Sequence, residues 1–159
     1  MTNSRSSKYF LWMALAAFFV FSMSHRAYAV MNSDGTMIKV PMFTEAVKLI
    51  EKERFQESIV YLNDTLRQHP GHASAWNLMG YVHRRLGQFD LAEQYYSAAL
   101  TISPYHIGAL NYMGQLFVQT GRPELAKELL IKLETACPDG CEAREQLSNA
   151  IETGIAGNY

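Results

Sequence analysis

The feature that most constrains the fold of this chain is a regular spacing between prolines. Pro70, Pro104 and Pro138 recur with a 34-residue period, and the residues before each of them follow one layout. A period of roughly 20–50 residues is typical of repeat proteins, in which each unit buries its apolar faces against its neighbours. The spacing therefore divides the chain into three units, residues 39–72, 73–106 and 107–140.

The layout within a unit is the one that two helices joined by a turn would produce. In the second unit it comprises Trp76, Met79, Gly80, the turn Gly87-Gln88-Phe89, Ala92, Tyr96, Ala99 and Pro104. The third unit repeats it with Leu110, Met113, Gly114, Gly121, Ala126, Leu130, Leu133 and Pro138. The first unit is more divergent, with Met42, Ala46, Leu49, Phe55, Ser58, Leu62, Thr65 and Pro70.

Two glycines inside the helical patterns indicate close helix packing. Gly80 and Gly114 lie one period apart, although glycine in a helix costs about 1 kcal/mol relative to alanine. Their recurrence predicts a crossing that is too close for a β-carbon, and we expect Ala92 and Ala126 as the opposing residues. We also expect Trp76 to be largely buried.

Over residues 39–140 this pattern resembles the tetratricopeptide repeat (TPR) family. The resemblance implies an all-α fold, a right-handed α-solenoid of three TPR helix pairs. Residues 141–153 continue with one amphipathic helix, which we interpret as a C-terminal capping helix. Three residues depart from the family pattern, His83 where it has Tyr, Glu45 where it has Leu and Glu53 where it has Gly.

Residues 1–29 have the composition of a signal peptide. Arg5 and Lys8 precede an uncharged run at residues 9–23, and Ala27-Tyr28-Ala29 is a small-x-small motif of the kind that signal peptidase cleaves. This predicts an exported protein, most simply a periplasmic one. The alternative is an uncleaved membrane anchor that faces the periplasm, but the run is shorter than the roughly 20 residues of a spanning helix.

The segments that flank the repeats lack helical periodicity. Residues 30–38 contain Asn32-Ser33-Asp34-Gly35, a composition that favours turns, and we interpret them as a flexible leader. The tail, residues 154–159, is expected to fray.

Two cysteines are placed to form a short disulfide. Cys137 and Cys141 flank Pro138-Asp139-Gly140, and such a turn can bring their α-carbons within bridging distance. In an exported protein we expect the pair to be oxidised. The alternative, a thiol-active pair, is disfavoured because the C-x-x-C spacing and a thioredoxin-like strand pattern are both missing.

Composition and motifs disfavour several other functions. Lys and Arg number 14 against 15 Asp and Glu, and no basic stripe is present, so we expect no nucleic-acid binding. The histidines lack metal-ligand spacing, and we interpret them as surface or capping residues. Neither a nucleophile motif nor a phosphate loop occurs. We therefore expect no catalytic residues, no cofactor and no metal.

The resemblance implies that the first helix of each pair lines a concave face that binds extended or helical peptides. Carried over to this chain, the groove positions are Asn77, Tyr81, Arg84, Arg85, Asn111, Tyr112, Gln115 and Gln119. The first unit contributes the apolar Phe43 and Val47. The family's carboxylate clamp has Lys at the position of Asn77, so recognition of a chain-terminal carboxylate is not expected.

The function expected from the sequence is a non-catalytic periplasmic scaffold or adaptor that binds a protein or peptide partner. Amide side chains suit this role because each offers a donor and an acceptor to a partner's backbone, and tyrosines add rigid contact area. Two adjacent arginines, Arg84 and Arg85, diverge by about 100° on a helix, so only one of them can point squarely into the groove. The alternatives are a membrane-anchored component of an envelope assembly and, with less support, a thiol-active protein.

Overall fold

The structure is a computed structural model that describes residues 30–31, 37–38 and 41–157. The predicted signal peptide, and with it the alternative of an anchor, lies outside the described residues. The chain divides into two units, Met1–Lys39 and Val40–Tyr159.

The described part of the first unit is a short antiparallel ladder. Strand β1, Val30–Met31, pairs with β2, Met37–Ile38. The sequence predicts a flexible leader over residues 30–38, and of these only residues 30–31 and 37–38 are described by the structure.

Within the described residues the second unit contains seven helices. They are α1 (Pro41–Glu51), α2 (Phe55–Gln68), α3 (Ala73–Arg85), α4 (Phe89–Ile102), α5 (Ile107–Gln119), α6 (Pro123–Ala136) and α7 (Glu142–Thr153). Helices α2, α4 and α6 begin at Phe55, Phe89 and Pro123, which are equally spaced and keep the period of the prolines. The predicted all-α solenoid of helix pairs is confirmed.

Histidines begin the first helices of the second and third repeats. The Nδ1 atoms of His72 and His106 accept hydrogen bonds from the backbone N–H groups of Ala75 and Ala109, each at 3.1 Å. Such a bond satisfies one of the unpaired donors at a helix N-terminus. The two rings are one period apart, so they are a repeated capping element.

The turn inside each pair needs a left-handed residue. Gly87 and Gly121 occupy it with φ of 74° and 73°, as the glycine pattern predicts. In the first repeat the same position is Glu53, with φ of 55°. A side chain in this region of the Ramachandran map is strained by roughly 1–2 kcal/mol.

The close crossings predicted from the helix glycines exist, and the atoms nearest to each glycine belong to larger side chains than the predicted alanines. A β-carbon on Gly80 would lie 2.5 Å from Cδ1 of Tyr96, and one on Gly114 would lie 2.6 Å from the Leu147 methyls. The glycines thus make room for a large side chain, whereas the sequence pattern predicts the small residues Ala92 and Ala126.

Trp76 packs against the buried core of the amino-terminal repeats, with a minor part of its side chain exposed. Its indole N–H donates to the carbonyl of Pro70 at 2.7 Å, and its ring stacks on Tyr95 with centroids 5.9 Å apart. The ring therefore satisfies its polar atom at the preceding turn and keeps one part in solvent.

Helix α7 closes the C-terminal end of the stack. Its Leu147 and Ala150 are buried in a cluster with residues of α5 and α6. A disulfide between Cys137 and Cys141, with α-carbons 6.0 Å apart, joins the end of α6 to the start of α7. None of the described helices combines the length and the apolarity that crossing a membrane requires.

Candidate partner-binding face

The first helices of the repeats, together with the cap, form the surface on which the predicted partner residues lie. Helix α3 contacts α5, and α5 contacts α7. We call this surface, built by α1, α3, α5 and α7, the first-helix face. Its amino-terminal half is formed by α1 and α3 with Tyr112, and its carboxyl-terminal half by α5 and α7 with Arg84. All eight predicted residues belong to α3 or α5.

The amino-terminal half contains an open pocket of about 290 Å³. Its lining is an apolar and aromatic base with a charged rim, made of Ile50, Leu78, Tyr81, Tyr112, Glu51, Glu53 and Arg85. The Tyr81 and Tyr112 rings lie 5.3 Å apart between centroids. Burial raises the pKa of Tyr112, so this phenol stays neutral.

Arg85 organises the rim of this pocket. Its guanidinium lies 5.0 Å from the centre of the Phe55 ring and donates a hydrogen bond of 2.7 Å to the Tyr81 hydroxyl. It also donates to the Glu53 carboxylate at 3.0 Å. The strained backbone of Glu53 thus places an acid where the other repeats have glycine, and that acid meets Arg85.

The carboxyl-terminal half carries a chain of side-chain hydrogen bonds. Asn111 donates to Oε1 of Gln146 at 2.7 Å, and Gln115 donates to Oδ1 of Asn111 at 2.9 Å. Oε1 of Gln115 then accepts the backbone N–H of Gly157 at 2.7 Å. Asn111 and Gln115 are almost entirely buried, and their bonds lock the orientation of both amides.

Arg84 is buried beneath the same tail residue. Only 4% of it is exposed, and its Nη1 and Nη2 donate to the carbonyl of Gly157 at 3.2 and 3.3 Å. A longer contact of 3.5 Å joins Nη1 to Oε1 of Gln119, which is otherwise exposed. Among the described tail residues, 154–157, the chain is therefore held at Gly157, and the fraying expected for residues 154–159 stays a prediction.

The structure separates the eight predicted residues into two groups and one outlier. Tyr81, Arg85 and Tyr112 meet at the pocket. Arg84 and Gln115 bind the tail, and Gln119 and Asn111 are hydrogen-bonded to those two residues. Asn77 is buried, and its Oδ1 atom has no hydrogen-bond partner among the described residues. Arg84 and Arg85 point to different halves, as their helical offset requires.

Several residues of this face are not among the partner-binding residues predicted from the sequence. Leu78 lies one period before Tyr112, so the repeat itself could have found it. Glu53 stands where glycine recurs, which marks it as unusual. Gln146 and Gly157 have no such signal, because their roles depend on contacts made across the stack.

The described residues show no constellation for metal chemistry. Among residues 30–31, 37–38 and 41–157 there is no group of three or more His, Cys, Asp and Glu that could hold a metal ion. The polar groups on the first-helix face include amides, the two guanidiniums of Arg84 and Arg85, phenols and the carboxylates of Glu51 and Glu53, which suit hydrogen bonding to a peptide.

Comparisons with known proteins agree with this architecture. Two models of the family described as "Tetratricopeptide repeat" match residues 43–107 and 83–147. The solved structure "First TPR of Spaghetti (RPAP3) bound to HSP90 peptide SRMEEVD" aligns with a TM-score of 0.64 and 18% identity, covering 74% of this chain and 93% of that chain. At this identity the likeness shows a shared fold. None of the curated proteins matches the chain.

The two family matches together span residues 43–147, and the helix boundaries follow the family's 34-residue period. This chain therefore belongs to the tetratricopeptide repeat family.

Proposed function

We propose that this chain is an exported, non-catalytic scaffold that binds an extended segment of a partner protein along the first-helix face. The observation that carries the proposal is the open pocket of about 290 Å³ in the amino-terminal half. It joins apolar and aromatic residues to a rim that carries both charge signs.

The chemistry of the pocket suits one anchoring side chain of a partner. Ile50, Leu78 and the two tyrosine rings supply apolar surface, and buried aromatic residues are frequent energetic centres of interfaces. The volume, about 290 Å³, is just below the roughly 300–1,000 Å³ of small-molecule sites. An apolar or aromatic partner residue is therefore a better occupant than a large metabolite.

The shared fold supports the same conclusion by analogy. The aligned TPR structure holds a peptide, and family members generally act as binding modules without catalysis. Fold alone does not determine function, so the weight of the proposal rests on the pocket and its residues.

The location of the protein is proposed from residues 1–29 alone. Their charged start, apolar run and Ala27-Tyr28-Ala29 motif are typical of a cleaved export signal. The intact mass of protein recovered from cell fractions tests this directly. A periplasmic product that begins at Val30 is expected, and a membrane-bound product that retains residues 1–29 would instead establish the anchored alternative.

Site-specific photo-crosslinking in the source cells tests the binding face. A photoreactive residue replaces Glu51, which is exposed at the pocket rim, and in a matched control it replaces Ile131, which is 63% exposed on the second helix α6. Both positions are on the surface, so neither substitution should disturb folding.

The expected result is a discrete crosslinked protein from position 51 that is absent from position 131. The Tyr112→Ala variant should weaken this product because it removes part of the pocket base. Equal products from both positions, or a product from position 131 only, would move the interface away from the first-helix face.

A further inference from the structure

The C-terminal tail returns across the carboxyl-terminal half of the first-helix face. Gly154 follows α7 with φ of 70°, a left-handed conformation that reverses the chain direction. Gly157 then contacts Arg84, which is 73 positions earlier in the sequence. The tail thus occupies part of the surface to which a partner segment would bind.

The tail is recognised by its main chain. Gly157 donates its N–H to Gln115 and accepts from both terminal nitrogens of Arg84 through its carbonyl. Any extended peptide offers the same pair of groups at one residue. The side chain of Ile155 is 73% exposed, so the tail adds little apolar burial, and another segment can replace it without losing a side-chain pocket.

The charge of Arg84 is left without a counterion by the described residues. Its acceptors are neutral oxygens of Gly157 and Gln119, and its Nε has no hydrogen-bond partner. Within residues 41–157 no carboxylate lies at ion-pair distance from this guanidinium. Burying a cation without an anion is unfavourable, and a carboxylate would form stronger, charge-assisted bonds with it.

We propose that the tail is an internal ligand of this face, and that an extended partner segment carrying an acidic side chain displaces it from Arg84 and Gln115. The inference rests on the proposed function, because the displacing segment belongs to the partner whose anchor enters the pocket. Two points go beyond that function. The partner segment carries an acidic group, and it must compete with the tail for Arg84 and Gln115.

Two synthetic hexapeptides based on the tail serve as probes. Acetyl-GIADNY-amide and acetyl-GIANNY-amide differ only in an Asp or an Asn at the position of Gly157, so they separate charge from shape. Each is titrated into the full-length exported protein, while NMR follows the side-chain signals of Arg84 and Gln115.

Two protein variants control for the tail. Gly157→Pro removes the N–H that Gln115 accepts and should release the tail from the intact chain. Ile155→Ser changes a tail side chain that lies in solvent, so docking should persist. A tail that is docked about 90% of the time lowers the apparent affinity of a competitor about tenfold.

We expect the Asp probe to bind Gly157→Pro about tenfold more tightly than wild type, with Ile155→Ser close to wild type. We also expect the Asp probe to bind at least about fivefold more tightly than the Asn probe, with the difference reduced by salt. Equal affinities of wild type and Gly157→Pro, or of the two probes, would overturn the proposal.

A measurement without any variant checks the docking itself. The amide of Gly157, which is bonded to Gln115, should exchange with solvent about tenfold more slowly than the same amide in the free peptide acetyl-GIAGNY-amide, because the tail is undocked only about 10% of the time, and exchange at the rate of the free peptide would overturn the proposal. If the probes compete with the tail as expected while position 51 crosslinks no partner, the proposed function fails alone. If position 51 crosslinks a partner and the probes do not compete, only the role of the tail fails.

Discussion

The two halves of the first-helix face use the same helix positions for different chemistry. Tyr81 and Gln115 are one period apart, and so are Arg85 and Gln119. In the amino-terminal half the Tyr81 ring borders an open pocket. In the carboxyl-terminal half the Gln115 amide is fully buried and binds the tail.

This difference shows that successive repeats have the same backbone arrangement, while the side chains at equivalent positions give each repeat a different surface chemistry. The aromatic half offers contact area for a partner side chain, whereas the amide half offers donors and acceptors for a main chain. A single extended segment could therefore be held by its side chain at one end and by its backbone at the other.

The largest expected effect comes from the two helix glycines, which are equivalent positions in the two halves. Gly80→Ala places a β-carbon against the buried ring of Tyr96 and is expected to lower the free energy of unfolding by about 2 kcal/mol. Gly114→Ala meets the end of the flexible Leu147 side chain, its two methyls first, and better helix propensity offsets part of that clash, so the loss should stay below about 1 kcal/mol.

Urea unfolding of both variants, followed by circular dichroism, measures this contrast. Gly71→Ala is the control, because a β-carbon there meets nothing within 4 Å. A Gly114→Ala variant that is less stable than Gly80→Ala would mean that the packing of the two halves is not as described.

Removing the disulfide tests how far the stability of the carboxyl-terminal half depends on the attachment of α7. Replacing both Cys137 and Cys141 by Ser should lower the free energy of unfolding by at most about 2 kcal/mol, because the closed loop is so short. Hydrogen exchange should accelerate in α7, which carries Gln146, while α1 remains unchanged. Acceleration that is uniform along the chain would contradict a local role for the bridge.

The histidine caps predict a dependence of stability on pH. Burial lowers the pKa of His72 and His106 below the usual value, and their Nδ1 atoms accept backbone N–H groups only when the rings are neutral. Because these pKa values are lower in the folded state, the stabilisation is present above the unfolded pKa and is lost as the pH falls through the folded pKa. The charges of His69 and His106 lower the pKa of His72 further.

Each cap should contribute about 1 kcal/mol, measured by urea unfolding at about pH 7.5 and about pH 5. His106→Asn is the informative variant, because Asn caps helices and does not titrate in this range. It should lose less stability on acidification than wild type does. An unchanged pH dependence in this variant would exclude His106 as a source of the effect.

The smallest expected effect concerns the pocket rim, where Glu53 replaces the glycine of the other repeats. Glu53→Gly relieves the left-handed strain but loses the ion pair with Arg85, so its stability should stay within about 1 kcal/mol of wild type. Glu53→Ala keeps the strain and also loses the ion pair, and it should be less stable than Glu53→Gly by about 1 kcal/mol. Thermal unfolding measures the difference between the two variants. Equal stabilities of Glu53→Ala and Glu53→Gly would show that the turn accommodates a side chain without strain.

Much of the fold was predictable from the sequence because helix pairs depend on local signals. The prolines, the turn glycines and the apolar spacing act within one unit, and the observed starts of α2, α4 and α6 keep the 34-residue period. The partners of Gly80 and Gly114 were not predictable, since any large or small side chain on a neighbouring helix could have filled the space.

The sequence by itself determined the period, the helix pairs, the cap and the cysteine pair, because each follows from residues close together in the chain. Only the tertiary structure decided that Arg84 and Arg85 serve different halves and that Gly157 lies on Arg84 and Gln115. These outcomes depend on how successive repeats stack and where α7 ends. Arg84 and Gly157 are 73 positions apart. The tail is not itself repeated, so no periodic pattern in the sequence indicates this contact.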